Sequence, residues 1–175
     1  MNLKQQLLKE HSKENSLLIF NYLLENPWEF DLLMKIFTEE DYRLNQRSAW
    51  VIGMIGETKS EWLLPYFPIL LDCLNNPNHD AISRNIYRSF QSLEIPEEFA
   101  AQTYNLCIRD LSNTKTSAAI KVFAMTVAFN ISNKHRELQQ ELSFIIEEQI
   151  SYSSVGFASR ARKILKAISN GKNKY

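Results

Sequence analysis

A two-helix unit that recurs about every 37 residues is the feature that most constrains the fold of this chain. Its clearest copy spans Glu61–Leu93, and the polar turn 75–78 divides that copy into two stretches. In each stretch apolar residues follow one another at spacings of three and four, which predicts two helices that each bury one face. The apolar positions are Leu63, Leu64, Phe67, Leu70, Leu71 and Leu74 in the first stretch, and Ile82, Ile86, Phe90 and Leu93 in the second.

Basic residues mark one register in successive units. Arg47, Arg84 and Lys121 are 37 residues apart, and Ser159 or Arg160 follows after 38 or 39 residues. A period of this length is typical of stacked pairs of antiparallel helices. We therefore expect an all-α chain with about ten helices in five pairs. The small number of glycines and prolines, four and five, agrees with few tight turns and little β-structure.

The unit at Glu61–Leu93 resembles a HEAT repeat. The residues that carry the resemblance are Leu64–Pro65 early in the first helix, Leu70, Leu71, Leu74 and Asn75 late in it, then Pro77 and Arg84. The resemblance implies a right-handed α-α superhelix, that is, a HEAT-like solenoid of about five helix pairs. Because no Pro-, Gly- or Ser-rich linker interrupts the pattern, residues 1–175 are expected to form a single domain. A closed helical bundle is the structural alternative.

Several residues predict where helices begin, break and end. Ser12 is expected to cap the second helix of the chain. Pro65 and Pro68 each remove a backbone donor, so a kink or a break is expected near them. The last helix is expected to end at Asn170–Gly171, and Lys172–Tyr175 to fray.

The stretch Leu44–Gly56 is apolar on most of its circumference, which predicts a central helix buried on two sides. Gly53 and Gly56 each lower helix propensity by about 1 kcal/mol relative to alanine. Close packing against another helix is the expected compensation, although Gly56 is alternatively the end of the helix. Trp50 lies in this stretch and is expected in the core.

The two cysteines, Cys73 and Cys107, lie among apolar residues at a separation close to the repeat period. They predict buried free thiols that lie apart, which fits a reducing cytoplasm. The N-terminus lacks the apolar segment of a signal peptide, and no run of 18 apolar residues occurs. A cytoplasmic protein that does not span a membrane is expected.

The formal net charge of zero hides an asymmetry between the two halves of the chain. Residues 1–87 carry 8 basic and 12 acidic side chains, whereas residues 88–175 carry 12 basic and 8 acidic ones. The last 25 residues hold six basic side chains and no acidic one. This basic end is either a docking surface or a solvated end cap that the helix dipole favours.

Candidate binding residues follow from the repeat register, because the second helix of each pair lines the concave face of a helical solenoid. The basic residues expected on that face are Arg47, Arg84, Arg88, Lys121, Arg160 and Lys163. Trp28 and Trp62, in the first turns of helices, either form an aromatic binding surface or pack internally. The resemblance also implies that Asp41 and Arg47 bridge neighbouring repeats as structural ion pairs.

Motifs for catalysis and metal binding are absent from the sequence. His11, His79 and His135 lie near helix ends, and none has a ligand residue at metal-binding spacing, so neutral surface or capping histidines are expected. The chain has no nucleophile elbow, phosphate-binding loop or dinucleotide-binding glycine motif. It also lacks the His–Glu pairs that serve as iron ligands in HEAT-repeat hydroxylases. No metal or cofactor is expected, and the sequence does not identify an enzyme.

The interpretation that fits these features best is a non-catalytic HEAT-like scaffold. It would bind another protein, one with an acidic surface, through its concave face. The alternative is a nucleic-acid-binding protein related in fold to the DNA-alkylation-repair glycosylases, which cradle DNA on a basic concave face. The zero net charge counts against that alternative.

Overall fold

Ten α-helices make up most of the described chain. The computed structural model describes residues 1–172, and within them there is no β-strand. The expected all-α repeat fold with about ten helices is therefore confirmed. The helices are α1 (Leu3–Lys9), α2 (Lys13–Glu25), α3 (Phe30–Phe37), α4 (Tyr42–Thr58), α5 (Phe67–Asn75), α6 (Asp80–Phe90), α7 (Glu97–Ser112), α8 (Ala118–Ser132), α9 (Leu138–Ile150) and α10 (Val155–Lys172).

Contacts within the chain divide it into two compact units, here called unit 1 (Met1–Leu93) and unit 2 (from Glu94 onward). The right-handed superhelix and the single domain over residues 1–175 stay predictions. Helix α10 continues to Lys172, past its expected end at Asn170–Gly171. Fraying was also expected for Lys172–Tyr175, of which residues 173–175 lie outside the described part of the chain.

The first two helices of unit 1 begin at side-chain caps. The side chain of Asn2 accepts a hydrogen bond from the backbone N–H of Gln5 at 3.1 Å. Ser12 Oγ accepts one from the N–H of Asn15, also at 3.1 Å. Each cap satisfies a backbone donor that the first turn of a helix leaves free. The expected cap at Ser12 is thus confirmed.

Prolines shorten the first helices of two pairs in unit 1. A 3₁₀ segment, Pro27–Glu29, precedes α3, and a longer one, Ser60–Tyr66, precedes α5. Pro65 lies inside the longer segment, and Pro68 lies in the first turn of α5. Proline is tolerated there because the first N–H groups of a helix have no internal acceptor. The expected break near the two prolines is confirmed.

Helix α4 is the centre of unit 1, because it packs against α1, α2, α3 and α6. Its closest neighbour is α6, and two glycines permit the approach. A Cβ atom placed on Gly53 would lie 2.8 Å from Asn85 Oδ1, and one placed on Gly56 would lie only 2.1 Å from Ser89 Cβ. Close helix packing is therefore confirmed as the reason for both glycines. The alternative that Gly56 ends the helix is wrong, since α4 runs on to Thr58.

The described part of unit 2 consists of four helices, in which α7 packs on α8 while α10 packs on both α8 and α9. The buried Tyr104 donates a hydrogen bond from its hydroxyl to the carbonyl of Leu138 at 3.0 Å, which joins α7 to the start of α9. The side chains that form the centre of this core are fully buried. They are Cys107, Leu111, Ala124, Met125, Val127, Ala128, Leu142, Ile146 and Ala161.

Two residues expected in the core are only half-buried. Trp50 on α4 is half-buried, and its ring meets the ring of His11 in the turn between α1 and α2. Cys73 is also half-buried, whereas Cys107 is fully buried; both are free thiols, as expected. The expectation of burial was therefore wrong for Trp50 and Cys73 and is confirmed for Cys107.

Candidate functional site

The second helices of unit 1, α4 and α6, carry three of the basic residues singled out in the sequence. Arg84 is exposed on α6, and among the described residues no hydrogen bond or ion pair engages its guanidinium. Arg88 lies one turn further along the same face, since residues four apart on a helix are neighbours. The two arginines differ in what surrounds them, and only Arg84 offers an uncompensated charge to solvent.

Arg88 is held by Glu57 of α4. Its Nε donates to Glu57 Oε1 at 2.7 Å, and its Nη2 donates to Oε2 at 2.5 Å. Such two-point pairs have the strongest geometry that a guanidinium and a carboxylate can adopt. The positive charge of Arg88 is therefore compensated within unit 1.

Arg47 secures the end of α1, because its Nη1 donates to the carbonyl of Leu7 at 2.7 Å. The ion pair expected between Asp41 and Arg47 does not form. Asp41 instead caps α4 by accepting from the N–H of Arg43 at 2.9 Å, and it pairs with the guanidinium of Arg43 at 3.3 Å. These hydrogen bonds from Arg43 hold the pKa of Asp41 below its ordinary value. Asp41 therefore pairs with Arg43, two residues further along the chain, and not with Arg47, six residues further along.

Two arginines act electrostatically on His11, which lies in the turn between α1 and α2. The His11 ring meets the ring of Trp50 edge-on, with 5.5 Å between centroids and 86° between planes. Partial burial lowers the pKa of His11, and the positive charges of Arg47 and Arg84 lower it further. No carboxylate among the described residues opposes this shift. We call the four side chains His11, His79, Arg47 and Arg84 the His11 cluster.

The two histidines of this cluster were not predicted as site residues. His79 has a structural task, because its Nδ1 accepts from the N–H of Ala81 at 3.0 Å and caps α6. The capping role expected for the histidines is confirmed there. The signal available in the sequence was position alone: both histidines immediately precede the first turn of a helix. Nothing in the sequence placed the turn at His11 beside α4.

The two tryptophans proposed as binding residues differ in exposure. Trp28 in the 3₁₀ segment Pro27–Glu29 is 71% exposed. Trp62 is half-buried, and its ring lies 5.6 Å from the ring of Phe30 in a tilted arrangement. Trp28 therefore presents aromatic surface to solvent, while Trp62 packs internally for the most part.

In unit 2 the three predicted basic residues have different surroundings. Lys121 donates from Nζ to Gln149 Oε1 of α9 at 2.6 Å, and burial lowers its pKa. Arg160 donates from Nη1 to Thr126 Oγ1 of α8 at 2.7 Å. Lys163 is exposed on α10. Lys121 and Arg160 thus contact different helices, and the structure does not bring them together.

The exposed side of α10 is basic along its length. Arg162 and Lys166 are exposed there together with Lys163, and no ion pair engages any of the three among the described residues. Helix α10 contains no acidic residue. Its exposed side therefore holds three uncompensated charges, two of which the repeat register did not single out.

Residues 1–172 hold no group of three or more His, Cys, Asp or Glu side chains that could hold a metal ion. None of their helices combines the length and the apolar character needed to cross a bilayer.

The family of the chain follows from the helix pairs and from the sequence they share with known repeats. A family model described as a HEAT repeat domain matches residues 3–168, which is nearly the whole chain. The chain belongs to the HEAT repeat family. Searches of curated proteins and of solved structures found no match to this HEAT repeat chain.

A pair of asparagines links successive HEAT repeats within unit 1. Asn45 on α4 is buried, and its Nδ2 donates to the carbonyls of Phe37 and Glu39 at 2.6 and 2.7 Å. Its Oδ1 accepts from Asn78 Nδ2 of the next turn at 3.4 Å. In this HEAT repeat chain the link between neighbouring turns is therefore made by Asn45 and Asn78.

Proposed function

We propose that this HEAT repeat chain is a non-catalytic scaffold that binds an acidic segment of another protein through the His11 cluster of unit 1. Arg84 carries the proposal, because it is exposed and makes no intramolecular ion pair among the described residues. An exposed cation with no partner of its own is free to pair with a carboxylate of a partner. In helical repeat proteins the second helices of the pairs supply such binding surfaces.

Two further features of the cluster support an anionic partner. The charges that act on His11 are all positive, so a carboxylate placed there would relieve mutual repulsion. Trp50, half-buried beside His11, would add an aromatic contact of the kind that anchors protein interfaces. A short acidic segment with an apolar residue matches both features.

The charge distribution favours a protein over a nucleic acid as the partner. Residues 1–87, which include the whole cluster, carry a net charge of −4. A polyanion that extends beyond the cluster would meet this negative surface, whereas a short acidic segment would not. The basic side of α10 in unit 2 is a second surface on which acidic contacts are proposed. The two free thiols fit work in a reducing cytoplasm.

The experiment is a titration of the full chain against a fluorescein-labelled ten-residue peptide that alternates Glu and Leu. A Gln–Leu peptide of the same length and a 20-base-pair duplex DNA serve as comparison ligands. We expect Arg84→Glu to weaken binding of the acidic peptide at least tenfold. Lys35→Glu, a charge reversal of an exposed lysine on α3, should leave it within about twofold. The proposal is wrong if both variants bind alike, and tighter binding of duplex DNA would indicate a nucleic-acid-binding protein.

A further inference from the structure

A cleft of about 460 Å³ lies in unit 2, and none of the residues that line it belongs to the His11 cluster. The turn between α7 and α8 forms one wall, and the turn between α9 and α10 forms the other. Its volume lies within the range of small-molecule binding sites in proteins. The proposed docking of an acidic protein does not use this cleft.

Lys121 is the cation that lines the cleft, and its ammonium group is held in place. Its acceptor, Gln149 Oε1, is itself fixed, because Gln149 Nε2 donates to the carbonyls of Leu111 and Ile145 at 3.1 and 3.2 Å. The ammonium has three donors, and this amide oxygen takes one of them. Two donors thus remain at a defined position.

The charge of Lys121 has no carboxylate partner among the described residues. Burial alone lowers its pKa, which means that no nearby anion compensates the cost of desolvating the ammonium. Glu148 also lines the cleft but is exposed and forms no ion pair with Lys121. A partly desolvated cation without an anion is a place where an anionic ligand would be stabilised.

Hydroxyl groups and apolar side chains complete the lining. Ser112 at the end of α7 and Thr114 and Thr116 in the turn before α8 bring hydroxyls to the lining. The half-buried Ile145 of α9 and the exposed ring of Tyr152 supply apolar surface. The lining therefore combines one cation, several hydroxyl groups that can donate hydrogen bonds, and apolar surface.

The geometry points to a site for a phosphate monoester with an aromatic or other apolar body, with the phosphate at Lys121 and the body against Ile145 and Tyr152. A phosphate offers three terminal oxygens and nearly two negative charges, which suits one ammonium with several hydroxyl donors. The same chemistry occurs in a free aryl or nucleoside phosphate and in a phosphorylated tyrosine side chain. The assignment stands independently of the proposed protein-docking function.

The test uses ¹H–¹⁵N correlation spectra of the full chain in phosphate-free buffer at constant ionic strength, titrated with phenyl phosphate. We expect saturable shifts confined to residues 112–121 and 145–157, with a Kd in the millimolar range. Phenol, which lacks the charge, should not saturate, and inorganic phosphate, which lacks the ring, should bind at least tenfold more weakly. A five-residue phosphotyrosine peptide is the second arm. Tighter binding of that peptide than of phenyl phosphate assigns the natural ligand to a phosphoprotein, and equal or weaker binding assigns it to a small molecule.

Three variants decide whether the cleft is the site. Lys121→Met should weaken phenyl phosphate binding at least tenfold, and so should Thr116→Asp, which adds a competing carboxylate to the lining of the cleft. Lys115→Met removes an exposed charge from the same turn but outside the lining, and it should change the Kd less than twofold. Circular dichroism checks each fold, and Thr116→Asp decides alone if Lys121→Met does not fold. Shifts outside the two segments, or equal binding by Thr116→Asp and wild type, would overturn the assignment.

Discussion

Arg88 on α6 and Glu57 on α4 are joined by two hydrogen bonds, Nε–Oε1 at 2.7 Å and Nη2–Oε2 at 2.5 Å. This pair crosses from one second helix to the next beside the exposed Arg84. It converts one of two neighbouring arginines into a structural link and leaves the other available. The carboxylate of Glu57 thus decides whether Arg88 is available for binding in addition to Arg84.

Removing that carboxylate should change binding more than stability. Glu57→Gln is expected to lower the free energy of unfolding by only about 0.5–1 kcal/mol, because both partners are partly exposed. It should also free Arg88 and strengthen binding of the acidic peptide several-fold. Urea denaturation and the peptide titration measure the two effects. A double variant, Glu57→Gln/Arg88→Gln, should lose the gain in affinity; if it does not, Arg88 takes no part.

The helix contact at Gly56 should be intolerant of a single methyl group. In Gly56→Ala the new Cβ would lie 2.1 Å from Ser89 Cβ and 2.7 Å from Ser89 Cα, so α4 and α6 must move apart. We expect a loss of about 1–3 kcal/mol in the free energy of unfolding, as for other overpacked cores. Gly156→Ala is the matched control, since nothing lies within 4 Å of its new Cβ, and it should be neutral or stabilising by up to about 1 kcal/mol. Equal stabilities for the two variants would rule out close packing at Gly56.

The two thiols should react at different rates in the folded protein. Cys73 is half-buried. Burial raises the pKa of its thiol most, and the negative charge of Asp72 raises it further. Cys107 is fully buried, so its labelling should require unfolding. With a thiol reagent in excess we expect Cys73 to be modified first. The rate of this modification should rise with pH, because the fraction of thiolate increases. Cys73→Ala should abolish that phase, whereas its survival in this variant would place Cys107 at the surface.

His11 should make the stability of unit 1 depend on pH. Its pKa in the folded chain lies below the ordinary 6.5 because of partial burial and the cations around it. Near pH 6 the unfolded chain therefore binds more protons than the folded chain, so the free energy of unfolding should fall as pH drops through this window. The contribution should stay under about 1 kcal/mol, since solvent screens an exposed site.

The comparison of pH 7.5 with pH 5.5 by urea denaturation isolates this contribution. His11→Gln should reduce the loss of stability between the two pH values, and Arg84→Gln should reduce it by less. A loss that is unchanged in His11→Gln would assign the pH dependence to other groups.

The helix pairs could be predicted from the sequence because apolar periodicity reports directly which face of a helix is buried. The breaks at Pro65 and Pro68 and the contact at Gly53 and Gly56 follow from backbone and steric rules that depend on the residue alone. The ionic and polar partners could not be predicted in the same way. The carboxylate of Asp41 can accept from any donor within about one turn, and here the backbone N–H and the guanidinium of Arg43 are its partners in place of Arg47.

The candidate site was predictable only in part, for a related reason. The register predicted Arg84 on the concave face of a second helix. The structure shows that Arg84 is exposed on α6, and its place on a concave face stays a prediction. The neighbourhood of His11 depends on how the turn after α1 lies against α4, which is a tertiary contact without a periodic signal. The same limit applies to Trp50, because the hydrophobic character of α4 did not reveal that its ring would meet the exposed His11.

The hydrogen bond from Arg47 to the carbonyl of Leu7 connects the His11 cluster to α1, the shortest α-helix of unit 1. Helix α1 has seven residues, too few to persist in water without tertiary support. It can therefore open while α4 and α6 stay folded, and each opening would carry the His11 turn away from Arg84. A ligand held by both His11 and Arg84 would slow amide hydrogen exchange throughout α1. The rate of amide hydrogen exchange in α1 would thus report whether the His11 cluster is occupied.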